Sequence, residues 1–368
     1  MPDTTERDEV MPVVSVCVIT YNQAPYVEKC LDSILAQRTD FPIEICVGED
    51  DSSDGTREIC RRYADNHPEK VRLFLRERKD VIYHGGQPTG NFNLLQTLKE
   101  CRGDYIALCE GDDYWLDPLK LQRQVDFLEA HPDFSGVCTQ VEVIDRDGTP
   151  LGPSQAFPKR DTLEFDYLIG AFAVYTCSFM LRRGAIDERF LEWLKHTPVG
   201  DIPLFVWCSR SGPIGCMPDK MAAYRQGVGV WSKQGRTATA KLYLGLCDHF
   251  ETEMKTPEEK AALNAARTLN RMDLIQAYAD IGKPLTALCH VPALLVCLAK
   301  PRASTFDDLP AYHGTHTLRY TLYRLAVGLA KPVVGLLPRR LQTRLFKRFG
   351  GNAHRKDTAE EDHKETGM

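Results

Sequence analysis

The sequence predicts an α/β chain built on a mostly parallel, doubly wound sheet, and three observations carry that reading. Short β-rich runs alternate with amphipathic helical stretches at short intervals from Val13 to Leu128. The first of these runs is apolar almost throughout, as a strand covered on both faces must be. Unusual polar clusters follow Thr20, Gly48 and Cys109, which puts all three at the carboxyl ends of strands, the edge where such sheets bind ligands.

Each element has a local reason. Val13–Thr20 (VVSVCVIT) is the first strand, broken by Tyr21-Asn22-Gln23. Pro25 suits a first helical turn, and Val27, Leu31, Ile34 and Leu35 then recur at helical spacing. Ile43–Gly48 reads as the second strand, Glu49–Gly55 as a polar turn and helix N-cap, and the next helix turns Ile59 and Tyr63 inward. Val71–Leu75 is a third strand, and Arg76–Gly90 reads as a loop broken at Gly85-Gly86 and Pro88. Asn91 is placed to cap a helix carrying Leu94, Leu95 and Leu98. Tyr105–Cys109 is a buried strand, and Asp117-Pro118 opens a helix with Leu121, Val125 and Leu128 inside. Phe134–Ile144 and Val174–Leu181 read as strands, with a turn at Asp145–Gly148 and a short helix around Leu163–Ile169. Ala185–Leu194 and Leu204–Cys208 read as helices, Ile214–Met217 and Lys220–Arg225 as short strands, and Gly227–Ser232 as a flexible loop.

Composition bounds the rest. Hydrophobic content of 43% and charged content of 26% are ordinary for a globular chain. A net charge of −5 gives no footing for nucleic acid as a partner. The thirteen cysteines sit singly in apolar runs, as Cys17, Cys46, Cys109 and Cys138 do, with none spaced C-x-x-C. That is the pattern of buried free thiols, not of a disulfide framework or a zinc site. The polar start lacks the basic and apolar stretches of a secretory signal, so cytoplasm is the expected compartment. Lys241–Asp280 looks all-helical. Leu285–Ala299 is apolar but is interrupted by His290 and Pro292, too short and broken for a membrane span. Residues 318–349 carry Arg319, Arg324, Lys331, Arg339, Arg340, Arg344, Lys347 and Arg348 and no acid. They fit either an amphipathic segment on an anionic membrane, which would place the protein peripherally at the inner face of the plasma membrane, or a helix packed with a solvated basic face. The expected division is a polar lead (1–12), a catalytic domain (13–232), a helical C-terminal region (233–350) and a charged, disordered tail (351–368).

The stretch Asp104–Trp115 (DYIALCEGDDYW) concentrates the chemistry. A buried strand ends in Glu110, Asp112 and Asp113, with Gly111 giving a tight turn and close approach. Crowded carboxylates repel one another, and burying them unpaired costs several kcal/mol. A strand end that keeps them offers oxygen ligands to a hard cation, Mg²⁺ or Mn²⁺. The alternative is an acidic turn after an edge strand.

Taken together, the motifs resemble the family 2 glycosyltransferases of the GT-A fold. The matching pieces are VSVCVITYNQ, VGEDDSSDGT, GDYIALCEGDDYW, and later Gly200-Asp201 and YRQGVGVWS, covering about Val13–Ser232. No G-x-G-x-x-G or P-loop competes for a nucleotide. The resemblance implies a GT-A nucleotide-diphospho-sugar transferase fold with a helical C-terminal region. It also implies transfer of a sugar from a nucleotide-diphosphate sugar to a glycan or glycolipid hydroxyl, as in surface polysaccharide or glycolipid synthesis. It places Mn²⁺ or Mg²⁺ on Asp112 and Asp113, with Glu110 nearer the ribose or the ion's waters; Glu110 departs from the family's usual aspartate. Thr20, Tyr21 and Asn22 fall where the family holds the nucleobase, Glu49 where a base N–H is accepted, and Asp50 beside it. Asp201 matches the catalytic base of an inverting displacement, and it is also suited to cap the helix that follows. Tyr224, Arg225 and Trp231 match a late motif that closes over donor or acceptor, but Gln226 and Gly227 stand where relatives carry a histidine. His313 and His316 lie outside the matched region and read as surface residues. Two rivals are weighed. A sugar nucleotidyltransferase would need a glycine- and basic-rich loop after the first strand, and Thr20–Tyr26 has neither feature. A non-catalytic nucleotide-sugar-binding protein would be expected to have lost the acids or Asp201.

Overall fold

The computed structural model describes residues 11–154, 157–170, 174–229 and 235–298. Trp231, His313, His316, the basic stretch 318–349 and the tail 351–368 lie outside the described residues.

The chain opens as β1 (Val14–Thr20), α1 (Val27–Leu35), β2 (Ile43–Glu49), α2 (Thr56–Asn66) and β3 (Val71–Leu75). The stretch read as a loop holds a single turn of 3₁₀ helix at Arg78–Asp80 and a small hairpin, β4 (Tyr83–His84) and β5 (Gln87–Pro88). Gly85 and Gly86 form its turn at φ 57° and 80°, a left-handed pair that other residues adopt at a cost. α3 (Asn91–Glu100), β6 (Tyr105–Glu110) and β7 (Tyr114–Trp115) follow. Asn91 does not cap α3. Gly90 holds the cap position, and the Asn91 amide instead donates to the carbonyls of Leu194 and Thr197.

Next come α4 (Lys120–Ala130), β8 (Gly136–Ile144), β9 (Pro150–Pro153), β10 (Thr162–Leu163) and α5 (Phe165–Leu168). The stretch expected as a strand at Val174–Leu181 is a 3₁₀ turn over Thr176–Ser178 followed by β11 (Met180–Arg182). Its carbonyls are drawn off by side chains: Trp115 Nε1 donates to Cys177 O and Gln124 Nε2 to Ser178 O. α6 (Glu188–Leu194) starts three residues later than its apolar pattern, where Asp187 Oδ1 accepts from Phe190 N at 2.8 Å. α7 (Asp201–Cys208) and β12 (Ile214–Arg225) complete the sheet layer. The two short strands expected there are one strand with irregular pairing between Met217 and Ala222, around Pro218. Last come α8 (Arg236–Glu251), α9 (Pro257–Asp280), α10 (Pro284–Leu288) and α11 (Val291–Leu298). Thr256 and Glu259 close a capping box at the start of α9.

One sheet holds ten strands in the order β10-β12-β8-β11-β6-β1-β2-β3, with β7 on β12 and β9 on β8. From β3 to β6 it is parallel, with Thr20 opposite Glu49 and Ile19 opposite Glu110. This register sets the three polar strand ends side by side. Past β6 the sheet is mixed, because β11 runs antiparallel to both β6 and β8. Strand alternation divides the core. Val14, Val16 and Val18 pack with α1, α2 and α4 on one face, while Cys17, Ile106 and Leu108 face α3 and the later helices on the other. Leu246 and Phe250 of α8 and Leu263 of α9 belong to that second core with Phe190, Leu191 and Trp207, and the Trp193 and Phe250 rings lie 5.0 Å apart. All thirteen cysteines are free, and only Cys289 is exposed. Among the described residues no helix is long and apolar enough to cross a membrane.

Candidate active site

The site lies at the ends of β1, β2 and β6, with α7 and β12 closing it. The turn after β6 is set by Asp113 N donating to Glu110 O and Gly111 N to Ile19 O, both at 3.0 Å. Gly111 is required for space: a Cβ there would stand 2.6 Å from Thr20 Oγ1 and from Gln23 Oε1. What approaches its backbone is therefore the chain's own β1–α1 corner, where Thr20 Oγ1 donates to Gln23 Oε1 at 2.8 Å.

Glu110, Asp112 and Asp113 each offer a carboxylate oxygen within 4.8 Å of the other two. Asp112 and Asp113 are buried and Glu110 is half-buried. Burial, the Asp112 charge and the Asp201 charge push Glu110 up to about 8, against a side-chain hydrogen bond from Thr176. Burial likewise lifts Asp112 to about 6, with Arg225 and Gln23 opposing it. Asp113 rises well above the carboxylate range through burial and its two acidic neighbours. Its Oδ1 accepts from Arg225 N at 2.7 Å, while Oδ2 is buried with no hydrogen-bond partner among the described residues. An orphaned buried oxygen, beside two carboxylates that shed protons reluctantly, fits a hard divalent cation bound by oxygen ligands.

Asp201 is the first residue of α7, and Gly200 holds the cap position before it. Its Oδ1 accepts from Ile202 N at 2.8 Å, and burial raises its pKa. The approach to it is tied down. Asn91 Nδ2 lies 2.6 Å from Thr197 O, Thr197 Oγ1 donates to Val199 O, and a Cβ on Gly200 would meet Leu94 Cδ2 at 2.4 Å.

At the β1 and β2 ends the acids divide. Glu49 is fully buried, with Oε1 taking Ser52 N at 2.7 Å and Oε2 taking Arg57 Nε, so both oxygens are occupied. Asp50 is different: Oδ2 pairs with Arg78 Nη1 at 2.6 Å, while Oδ1 is buried and unpartnered among the described residues. Burial lifts it to about 6 despite Arg78. Arg76 Nε and Nη2 are also buried with no hydrogen-bond partner among the described residues, and that guanidinium, 5.3 Å from the Phe74 ring centre, lies within the influence of the Asp50 charge. Tyr21 is exposed, with the Arg78 guanidinium 4.3 Å from its ring centre. Asn22, at φ 51°, stitches two loops together: its N–H donates to Ser52 Oγ and its Oδ1 accepts from Ser53 N. Asp54 accepts from Thr56 N at 3.1 Å just ahead of α2, but the cap position is held by Gly55 at φ 100° with no side-chain cap hydrogen bond, so the side-chain cap expected of the polar turn is not formed.

Arg225 is buried and already engaged. Nε donates to Asp112 O at 2.9 Å, Nη1 donates to Asp145 O and Arg146 O, and the guanidinium lies 4.5 Å from the Tyr26 ring centre. The structure therefore brings together Thr20, Glu110, Asp112, Asp113, Arg225 and Asp201, and sets Tyr21, Asn22, Glu49 and Asp50 along the neighbouring edge. Sequence reasoning missed Gln23, Arg76, Arg78, Asn91 and Thr176. All but Asn91 lie in loops or turns, where no periodicity marks them, although the Gly85-Gly86 pair signalled the hairpin beside two of them.

A family model described as "Glycosyl transferase family 2" matches residues 15–190. An uncharacterized protein of Mycobacterium tuberculosis is 33% identical over 225 residues, 59% of this chain and 60% of its own. Chondroitin synthase of Escherichia coli is 26% identical over 205 residues, 55% of this chain and 27% of its own. The chain thus spans about 60% of the length of the first curated relatives it matches. In structure it is similar to S. aureus TarS 1-349 in complex with UDP-GlcNAc, with a TM-score of 0.50 and 16% identity over 76% of this chain and 83% of that one. That likeness is one of fold, and the fold is GT-A-like. With motif order, strand-end placement and family model in agreement, residues 15–190 belong to glycosyl transferase family 2.

Proposed function

We propose that the chain transfers a sugar from a nucleoside diphosphate sugar to the hydroxyl of a glycan or glycolipid acceptor, with inversion at the anomeric carbon. One observation carries this reading: three carboxylates converge within 4.8 Å at the end of β6, and the charge of a fourth, Asp201, reaches Glu110 from α7. Asp112 and Asp113, with Glu110 beside them, would hold Mn²⁺ or Mg²⁺. Bound there, the ion supplies neutralisation of the charge on the departing diphosphate. The chain's own groups do the rest. Asp201 takes the proton from the acceptor hydroxyl, and its burial strengthens it as a base. A base acting on the acceptor while the donor leaves from the metal side gives a single displacement, hence inversion.

The nucleobase reading shifts from Glu49 to its neighbours, because both Glu49 oxygens are occupied. Asp50 Oδ1 is an open acceptor, and Arg76 has open donors. An acceptor beside a donor suits the ring N–H and carbonyl of an imide-like edge, as in uracil or guanine. Tyr21 offers a ring for stacking. Arg225, its Nε and Nη1 spent on carbonyls, serves by holding the acidic turn in place.

The test is incubation with Mn²⁺ and a panel of nucleotide sugars, followed by mass spectrometry for released nucleoside diphosphate. Asp112→Asn is expected to abolish metal-dependent nucleotide binding in calorimetry, and Asp201→Asn to keep binding and stop transfer. Release with no donor at all, or undiminished metal-dependent affinity in Asp112→Asn, overturns the reading.

A further inference from the structure

Most cations between α8 and α9 are matched by acids. Arg236 pairs with Asp273 and Asp280, and Arg267 with Asp248 and Glu251. Lys241 of α8 and Arg271 of α9 are the exceptions, because neither makes an ion pair among the described residues. Arg271 is half-buried, and its Nε is buried with no hydrogen-bond partner among the described residues. Buried donors are rarely left without an acceptor in folded chains, so this one calls for an acceptor from outside. Tyr278, two turns further along α9, gathers the neighbouring groups. Lys241 Nζ lies 5.6 Å from its ring centre, and the ring of His290, at the junction of α10 and α11, stacks on it at 5.5 Å and 6°. Burial, then the charges of Arg271 and Lys241, hold the His290 imidazole below its usual range, with no acid opposing them. The missing partner therefore has a definable chemistry. It is anionic, because a guanidinium, an ammonium and an imidazole converge with no carboxylate between them. It carries several oxygens, because the donors come from three separate elements and a carboxylate offers only two. A phosphate group meets both demands and suits the fork of a guanidinium.

We propose that Lys241, Arg271 and His290 form a binding site for a phosphate group, apart from the carboxylates at the end of β6. A soluble phosphate and a lipid headgroup share that chemistry, and the experiment separates them. The full-length chain is kept in chelator, so that no divalent ion recruits phosphate to the acidic turn. It is titrated calorimetrically with inorganic phosphate, with chloride at equal ionic strength as the control. Separately it is floated with vesicles of phosphatidylcholine alone or with added phosphatidic acid. Saturable binding of phosphate but not chloride supports a soluble ligand, and flotation only with phosphatidic acid supports a headgroup. In whichever arm binding occurs, Arg271→Gln should weaken it by about tenfold or more, and Lys241→Gln by about threefold or more. Lys241 is exposed, so its variant keeps the test available where loss of Arg271 impairs folding. No saturable phosphate binding together with no preference for phosphatidic acid overturns the proposal, since the chain's own acids would then fill the site. Undiminished binding by both variants overturns the assignment of these residues.

Discussion

Replacing Arg225 by methionine removes a buried cation while keeping much of its volume. Three side-chain hydrogen bonds go with it: one to Asp112 O at 2.9 Å, and two to Asp145 O and Arg146 O at 3.2 and 3.0 Å. These are not equivalent. Asp112 is buried, so its carbonyl is left in a dry place, and a charged donor lost there is worth about 1.5–3 kcal/mol. Arg146 lies in an exposed turn where water replaces the donor, so the other two bonds together contribute about 1 kcal/mol. The expected loss is therefore about 2.5–4 kcal/mol, large against the 5–15 kcal/mol typical of folded proteins but survivable. Urea unfolding followed by tryptophan fluorescence measures it, with Lys220→Met, at a half-exposed pair with Glu142, as the control near zero. A loss under about 1 kcal/mol would show that Arg225 does not hold the acidic turn.

Asn91→Ala frees the carbonyls of Leu194 and Thr197 ahead of Asp201, and is expected to cost about 1–3 kcal/mol and to lower kcat with little change in donor KM; a KM effect alone would contradict the positioning role. Asp50→Ala should weaken nucleotide binding by about tenfold or more in calorimetry, whereas Glu49→Gln should act chiefly on stability through its contact with Arg57. Without metal, Glu110 near 8 and Asp112 near 6 keep protons that the unfolded chain releases near 4. The folded state therefore binds more protons between about pH 4 and 8, so melting temperature should fall as pH rises through that window in chelator. Asp112→Asn should flatten the profile, and a rising profile would refute the assignment.

The sequence made the parallel half of the sheet legible because each strand there is a single apolar run ended by a polar cluster, and burial on both faces demands that pattern. The acidic turn and Asp201 were legible as residue types at strand and helix ends. The mixed half was not. Val174–Leu181 has a strand's composition, yet Trp115 and Gln124 capture its carbonyls and bend it into a 3₁₀ turn, a decision made by residues about sixty positions away. Pro218 made one irregular strand look like two. Asn91 read as a cap because Asn favours caps, but its amide serves carbonyls more than one hundred residues ahead. Occupancy was equally invisible: Glu49 and Asp50 are neighbouring acids, and only tertiary partners show that one is saturated and the other open.

Leu246, Phe250 and Leu263 sit in the same apolar cluster as Phe190, Leu191 and Trp207, which has a practical consequence for anyone dissecting the chain. A fragment trimmed at the loop before α8 would shed a wall of its own interior and present aromatic rings to water. Such a fragment should precipitate or recruit chaperones, and its silence in an assay would say nothing about the carboxylates. Reporter tags belong at the ends of the polypeptide, and trimming from the rear should stop no earlier than α9.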